Sequence, residues 1–177
     1  MNILITILIV IGSIIVLFLL VALLVKKEYS VSKEISISKP QQDVFNYLKM
    51  LKNQEQYSVW VMKDPNIKLV YTGTDGTVGA TSSWESKDKN VGVGAQEIIK
   101  MNDGHSLDVE VRFKKPFEGT SYANTTVSTE GNGQTKVVNT FTGKSKYPSN
   151  IMNLFMPKLV GNDMQKNLVN LKANLEK

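Results

Sequence analysis

Few residues in this sequence carry chemistry, and they are not spaced for catalysis. The one histidine, His105, follows Asp103 by two positions in Asn102-Asp103-Gly104-His105, a stretch that reads as a hairpin turn. General acid–base work needs a partner base or nucleophile within hydrogen-bond reach, and turn composition accounts for His105 without one. With one His and no Cys, neither a zinc site nor a disulfide nor a thiolate nucleophile can be built. Gly143-Lys144-Ser145 imitates the end of a phosphate-binding loop, but position 138 is Val where that loop needs Gly. Val91-Gly92-Val93-Gly94 opens like a dinucleotide fingerprint and then meets Glu97 at the third small position. Asn124-Thr125-Thr126 is a formal glycosylation acceptor, meaningful only in a eukaryotic secretory pathway. The sequence therefore calls for no metal, no cofactor and no catalytic residue.

Two charged residues stay open. Glu97 shares a period-two face with Val91, Val93, Ala95 and Ile99, which directs it inward, where a carboxyl needs a partner or a raised pKa. A bulge at Gly92 or Gly94 would return it to solvent. Arg112 alternates with apolar residues beside Asp108 and Glu110, which puts it on the surface.

The elements that must position these residues begin with residues 29–38. Val31, Ile35 and Ile37 fall on one face there and serines on the other, so a half-buried strand is predicted. A helix follows from about 40 to 50 with Val44, Phe45, Leu48 and Leu51 on one side, Pro40 in its first turn, and Ser38 with Gln41 as a possible capping box. A second small helix is expected at 53–57, ending near Trp60. Short strands then succeed one another at 67–71, 80–85, 91–101, 107–113, 120–130 and 134–144, parted by Gly-, Asn- and Asp-rich turns, which predicts an antiparallel meander. Leu107, Val109, Val111 and Phe113 alternate strictly with charged residues. A short helical piece at 149–156, interrupted by Pro157, precedes a helix at 158–176 with the stripe Val160, Met164, Leu168, Leu171 and Leu175. This order predicts the α+β class, with helices segregated to one side of a curved antiparallel sheet of about seven strands.

Residues 3–25 contain no charge and would form a helix of about 34 Å, enough to cross a hydrocarbon core of about 30 Å. Lys26 and Lys27 follow the apolar run and no Lys or Arg precedes it, so the segment reads as an uncleaved single-pass anchor and not as a secretory signal. The same asymmetry places the soluble part in the cytoplasm. Residues 1–28 thus make an anchor and short linker, and residues 29–177 one domain. The net charge of +5 is scattered, and every basic residue except Arg112 is lysine, which suits solubility and anionic lipid but not nucleic acid.

The stretches ISISKPQQDVFNYLKML and YSVW resemble the opening of the SRPBCC superfamily, the helix-grip fold of START-type, Bet v 1-like and polyketide cyclase/dehydrase-like proteins. TGTDGTVGATSSWES, VGVGAQEI and VRFKKPFEGTSYA resemble bacterial members of the polyketide cyclase-like group that carry an N-terminal membrane segment. The resemblance covers residues 29–176. One departure is Tyr57-Ser58-Val59-Trp60, where many such proteins have Trp-Ser-Pro-Trp. The resemblance implies a long C-terminal helix across the concave face of the sheet and a hydrophobic or lipid-like small molecule between them. A cyclase or dehydrase using a pocket acid such as Glu97, and a ligand-free co-chaperone-like module, are the rival implications. The candidate ligand-binding residues are Trp60, Trp84, Glu97, Val109, Val111, Phe113, Met152, Phe155 and Met156. The last three are placed at the mouth, where flexible methionine suits variable apolar partners.

Overall fold

Strand β1 (Glu28–Ile37) alternates buried and exposed residues, and Pro40 turns it directly into α2 (Gln41–Leu48), whose Val44, Phe45 and Leu48 are buried. The computed structural model describes residues 2–177. Ser38 does not cap α2. Pro40 occupies that position, the Gln41 amide donates to the Gly104 carbonyl at 2.7 Å, and the Ser38 N–H donates to the Glu176 carboxylate at 2.5 Å. The capping box is replaced by tertiary contacts that tie this corner to a distant hairpin and to the chain's last helix.

A 3-10 turn (Leu51–Asn53) leads into α3 (Gln54–Tyr57) and α4 (Val59–Met62). Six strands follow: β2 (Lys68–Thr72), β3 (Thr81–Glu85), β4 (Val93–Asn102), β5 (Ser106–Lys115), β6 (Gly119–Gly131) and β7 (Gln134–Lys144). The sheet order is β1-β7-β6-β5-β4-β3-β2, antiparallel throughout, so β2 to β7 form a meander and β1 closes against its last strand. A 3-10 segment (Ser149–Leu154) then precedes α5 (Met156–Leu175). Pro157 lies in the first turn of α5, where its missing N–H leaves no bond unmade, so it starts the helix and does not separate two.

Helix α5 packs on β1, and its Met164, Leu168 and Leu171 are buried toward the sheet. The core gathers at one end of the sheet, where Ile37, Val44, Phe45 and Leu51 are all at most 1% exposed. Asp75 holds this end by accepting from the N–H groups of Leu51 and Lys52 at 2.7 and 3.2 Å. The apolar helix α1 (Ile3–Leu24) stands apart, its residues exposed except near its C-terminus, where Ala22 is buried. It is the one helix among the described residues long and apolar enough to cross a membrane.

Candidate ligand-binding cavity

A cavity of about 580 Å³ lies between the sheet and α5. One wall is β5, whose Leu107, Val109, Val111 and Phe113 project inward by the period-two rule. Val160, Met164, Leu168 and Leu171 of α5 face them across the space. Leu48 and Leu51 form the closed end, and Trp60, Tyr71 and Trp84 flank the side. Trp84 stands edge-on to Phe113 with ring centroids 6.0 Å apart, and its indole N–H donates to the Val91 carbonyl at 3.2 Å. That ring lies so close to β4 that a Cβ on Gly94 would sit 2.4 Å from it.

Strand register locates the mouth. Glu28 pairs with Lys144, Ser121 with Gly143, Phe113 with Gly119, and Val93 with Lys115. The start of β1, the end of β7 and the β5–β6 turn therefore meet at the end opposite α2. Lys115, Phe117, Glu118, Lys144, Met152 and Met156 line the cavity there.

Polar groups inside are neutral, and several of them bond one another. The Gln54 and Gln96 amides bond each other at 2.7 Å, the Asn139 amide donates to the Thr125 hydroxyl at 2.7 Å, and the Tyr29 and Ser121 hydroxyls share a bond of 3.3 Å. Burial pushes the Tyr57 phenol well above its ordinary pKa, and Tyr71 is pushed up by burial and by its 2.7 Å hydrogen bond to the Glu55 carboxylate. Both stay protonated at neutral pH. Among the described residues, the charged side chains lining the cavity are Lys115, Glu118 and Lys144, all at the mouth. No group of metal-ligating residues is found among the described residues.

A family profile described as "Polyketide cyclase / dehydrase and lipid transport" matches residues 28–176. The chain belongs to that family. Its solved structural neighbours share the fold at low identity, as expected where a family keeps an architecture and varies its use. Norcoclaurine synthase from Thalictrum flavum, solved with dopamine and hydroxybenzaldehyde, has 11% identity and a TM-score of 0.64, with 84% of this chain and 86% of that chain covered. A structural-genomics protein from Chromobacterium violaceum has 13% identity and a TM-score of 0.61, covering 84% and 97%. The di-domain ARO/CYC StfQ of the steffimycin biosynthetic pathway has 9% identity and a TM-score of 0.62, covering 82% of this chain and 50% of that one. None of the curated proteins compared matches the sequence.

In this polyketide cyclase and lipid transport family member, Trp60, Trp84, Val109, Val111, Phe113, Met152 and Met156 line the cavity. Glu97 and Phe155 do not. Before Ile98 the inward residues of β4 are Gly94, Gln96 and Ile98, whereas Met101 is the one packed on the core beyond it. Glu97 lies on the outer face and Gln96 takes the inner position, as an irregularity near Gly94 would require, and a register shift is found between Val93 and Gly94. A second shift, between Ile98 and Lys100, is what brings Met101 to the inner face. There Glu97 accepts from Arg112 at 2.9 Å, and Arg112 also donates to Glu110 at 2.5 Å, which holds the guanidinium above its ordinary pKa. Phe155 is 54% exposed and sits between the 3-10 segment and α5.

Sequence reasoning missed the residues that set the third wall. Asn167, Asn170 and Asn174 of α5 bond Val59 N–H, the Tyr57 carbonyl and the Gln56 carbonyl at 2.8, 3.1 and 2.8 Å, stitching α3 and α4 to the long helix. Their i, i+3, i+7 spacing beside the apolar stripe was the available signal.

Proposed function

We propose that this protein is a membrane-tethered binding domain for a hydrophobic, lipid-like small molecule held between the sheet and α5. On this reading residues 1–28 serve as tether and residues 29–177 as the ligand domain, with Lys26 and Lys27 favouring a cytoplasmic domain. The observation that carries it is the cavity: its volume of about 580 Å³ falls within the ~300–1,000 Å³ of small-molecule sites, and its charged groups stand at the rim. An interior of aliphatic and aromatic side chains with paired amides and phenols suits an apolar chain or ring bearing at most a neutral polar group, because an ionised group inside would lose its hydration without a counter-charge. The family description, which includes lipid transport, supports the same class of ligand. A cyclase or dehydrase reaction draws support from the family description alone, and Glu97, the acid it would use, is on the other face of the sheet.

The test uses full-length protein in lipid nanodiscs and the fluorescent tetraene cis-parinaric acid, with energy transfer from Trp60 and Trp84 as the signal. Ala123 lines the cavity, and Ala123→Phe fills space there without adding charge. Saturable transfer in the wild type, weakened about tenfold or more in Ala123→Phe with the thermal transition retained, is the expected result, tenfold corresponding to about 1.4 kcal/mol. Equal transfer in both proteins would exclude the cavity as the binding place.

A further inference from the structure

Helix α1 is not loosely attached. The Asn150 amide donates to the carbonyls of Ala22 and Val25 at 2.7 and 2.8 Å, and the Asn153 amide donates to the Lys26 carbonyl at 3.0 Å. The last carbonyls of a helix have no intrahelical partner, so these side chains supply what the sequence of α1 does not. The Tyr147 hydroxyl reaches further back, to the Leu19 carbonyl at 3.4 Å. The 3-10 segment and the residues before it therefore flank α1 from residue 19 to its end, about 9 Å at ~1.5 Å per residue.

That overlap has a consequence for depth. The 22 residues of α1 make a helix of about 33 Å, barely longer than a hydrocarbon core of about 30 Å. If α1 spans, only about 3 Å of it lies beyond the hydrocarbon, so the segment beside its last six residues dips about 6 Å past the boundary between headgroups and acyl chains. Its side chains match that level. Leu154, Phe155 and Leu159 are 58%, 54% and 56% exposed, and Phe117 on the neighbouring β5–β6 turn is 82% exposed. Tyr147 has the amphipathic ring that membrane interfaces favour. Lys26, Lys27, Lys146 and Lys158, on the segments that meet here, supply positive charge for anionic headgroups, while Lys144 is paired with Glu28 at 3.2 Å and Glu118 is the acid at the mouth.

Met152, Met156 and Phe117 also line the cavity. We infer that the bilayer holding α1 covers the cavity mouth, so that an acyl chain passes between membrane and cavity without crossing water. The inference rests on the apolar-ligand reading for what passes through, but the placement of the mouth rests on α1, the two asparagines and the exposed collar. Its partner is the lipid surface itself.

The chain has no cysteine, so single cysteines can be placed and labelled with the solvent-sensitive fluorophore NBD in full-length protein. Phe117→Cys and Leu154→Cys probe the collar, and Asp103→Cys, in the β4–β5 turn at the opposite end, is the control. In vesicles of phosphatidylcholine and phosphatidylglycerol, the labels at 117 and 154 should emit as in an apolar medium and lose about half their emission or more to lipids brominated on the acyl chain, as for groups seated ~5–10 Å into the interface. The label at 103 should do neither. Water-like, unquenched labels at both 117 and 154 overturn the proposal. Trp60 and Trp84, the only tryptophans, report on the ligand separately. Their quenching by the same brominated lipids, reduced in Ala123→Phe, upholds chain entry. Buried labels with unquenched tryptophans would keep the mouth at the membrane and remove the ligand reading instead.

Discussion

The two ends of this cavity are built from similar residue types and finished in opposite ways. At the α2 end, Ile37, Val44, Phe45 and Leu51 are sealed from solvent, and the backbone donors of Leu51 and Lys52 are satisfied by Asp75. At the α1 end, Phe117, Met152, Leu154 and Phe155 are each more than half exposed. Equally large apolar side chains serve as core at one end and as an uncovered collar at the other. A soluble domain rarely leaves such a patch bare unless something else covers it. The difference teaches that the fold concentrates its packing where the sheet is plugged and leaves the opposite rim of the cavity unpacked.

The sharpest way to break that contrast is to truncate one aromatic at each end. Phe45→Ala should cost about 3–5 kcal/mol, the range for a fully buried phenylalanine, whereas Phe117→Ala should stay within about 0.5 kcal/mol. Chemical denaturation of the detergent-solubilised protein measures both, and similar costs would erase the distinction between plug and mouth. A smaller effect is expected for Asp75→Ala, which leaves the Leu51 and Lys52 N–H groups without their acceptor. A loss of about 1–3 kcal/mol is expected there, and no loss would mean that water replaces the carboxylate.

Alkaline pH tests the side wall. Tyr57 has a folded pKa raised above its ordinary value of 10.0, so the folded state retains a proton that the unfolded chain gives up. Its contribution is complete below about pH 10 and is lost as pH rises beyond it. Thermal transitions from pH 9 upward should fall more steeply in the wild type than in Tyr57→Phe, with parallel curves as the contrary result. The smallest effect belongs to the outer face. Glu97→Gln removes one partner of a part-exposed ion pair and should change stability by no more than about 1 kcal/mol, with probe uptake unaltered. A marked drop in uptake would bring Glu97 back to the cavity.

Much of the fold could be read from periodicity. The alternation at Leu107, Val109, Val111 and Phe113 and the three-four spacing from Val160 to Leu175 each name one buried face, and those faces meet across the cavity. β4 resisted because Val91, Val93, Ala95 and Ile99 make an apolar period-two face that carries Glu97 inward with them. Only an irregularity at Gly92 or Gly94 reverses that phase, and glycine permits such a break without announcing it; the register shift found between Val93 and Gly94 leaves Glu97 outside. The asparagines were illegible for another reason. Asn150 and Asn153 find partners more than 120 residues away, and nothing local distinguishes them from surface polar residues. Of the three residues expected at a mouth, Met152 and Met156 line the cavity and Phe155 does not, and the relation of that end to α1 depends on these distant bonds.

Residues 25–27 are all that separate α1 from β1. At no more than about 3.6 Å per residue, such a connector extends some 11 Å even when taut, and the asparagine bonds fix the carbonyls of Val25 and Lys26 within it. A long flexible tether lets a carrier shuttle between two compartments. On the anchored reading proposed above, a domain mounted on so short a stalk would have no radius to sweep, and its movement would be two-dimensional, with the diffusion of its own helix. Any cargo it takes up would have to be handed to something that comes to it.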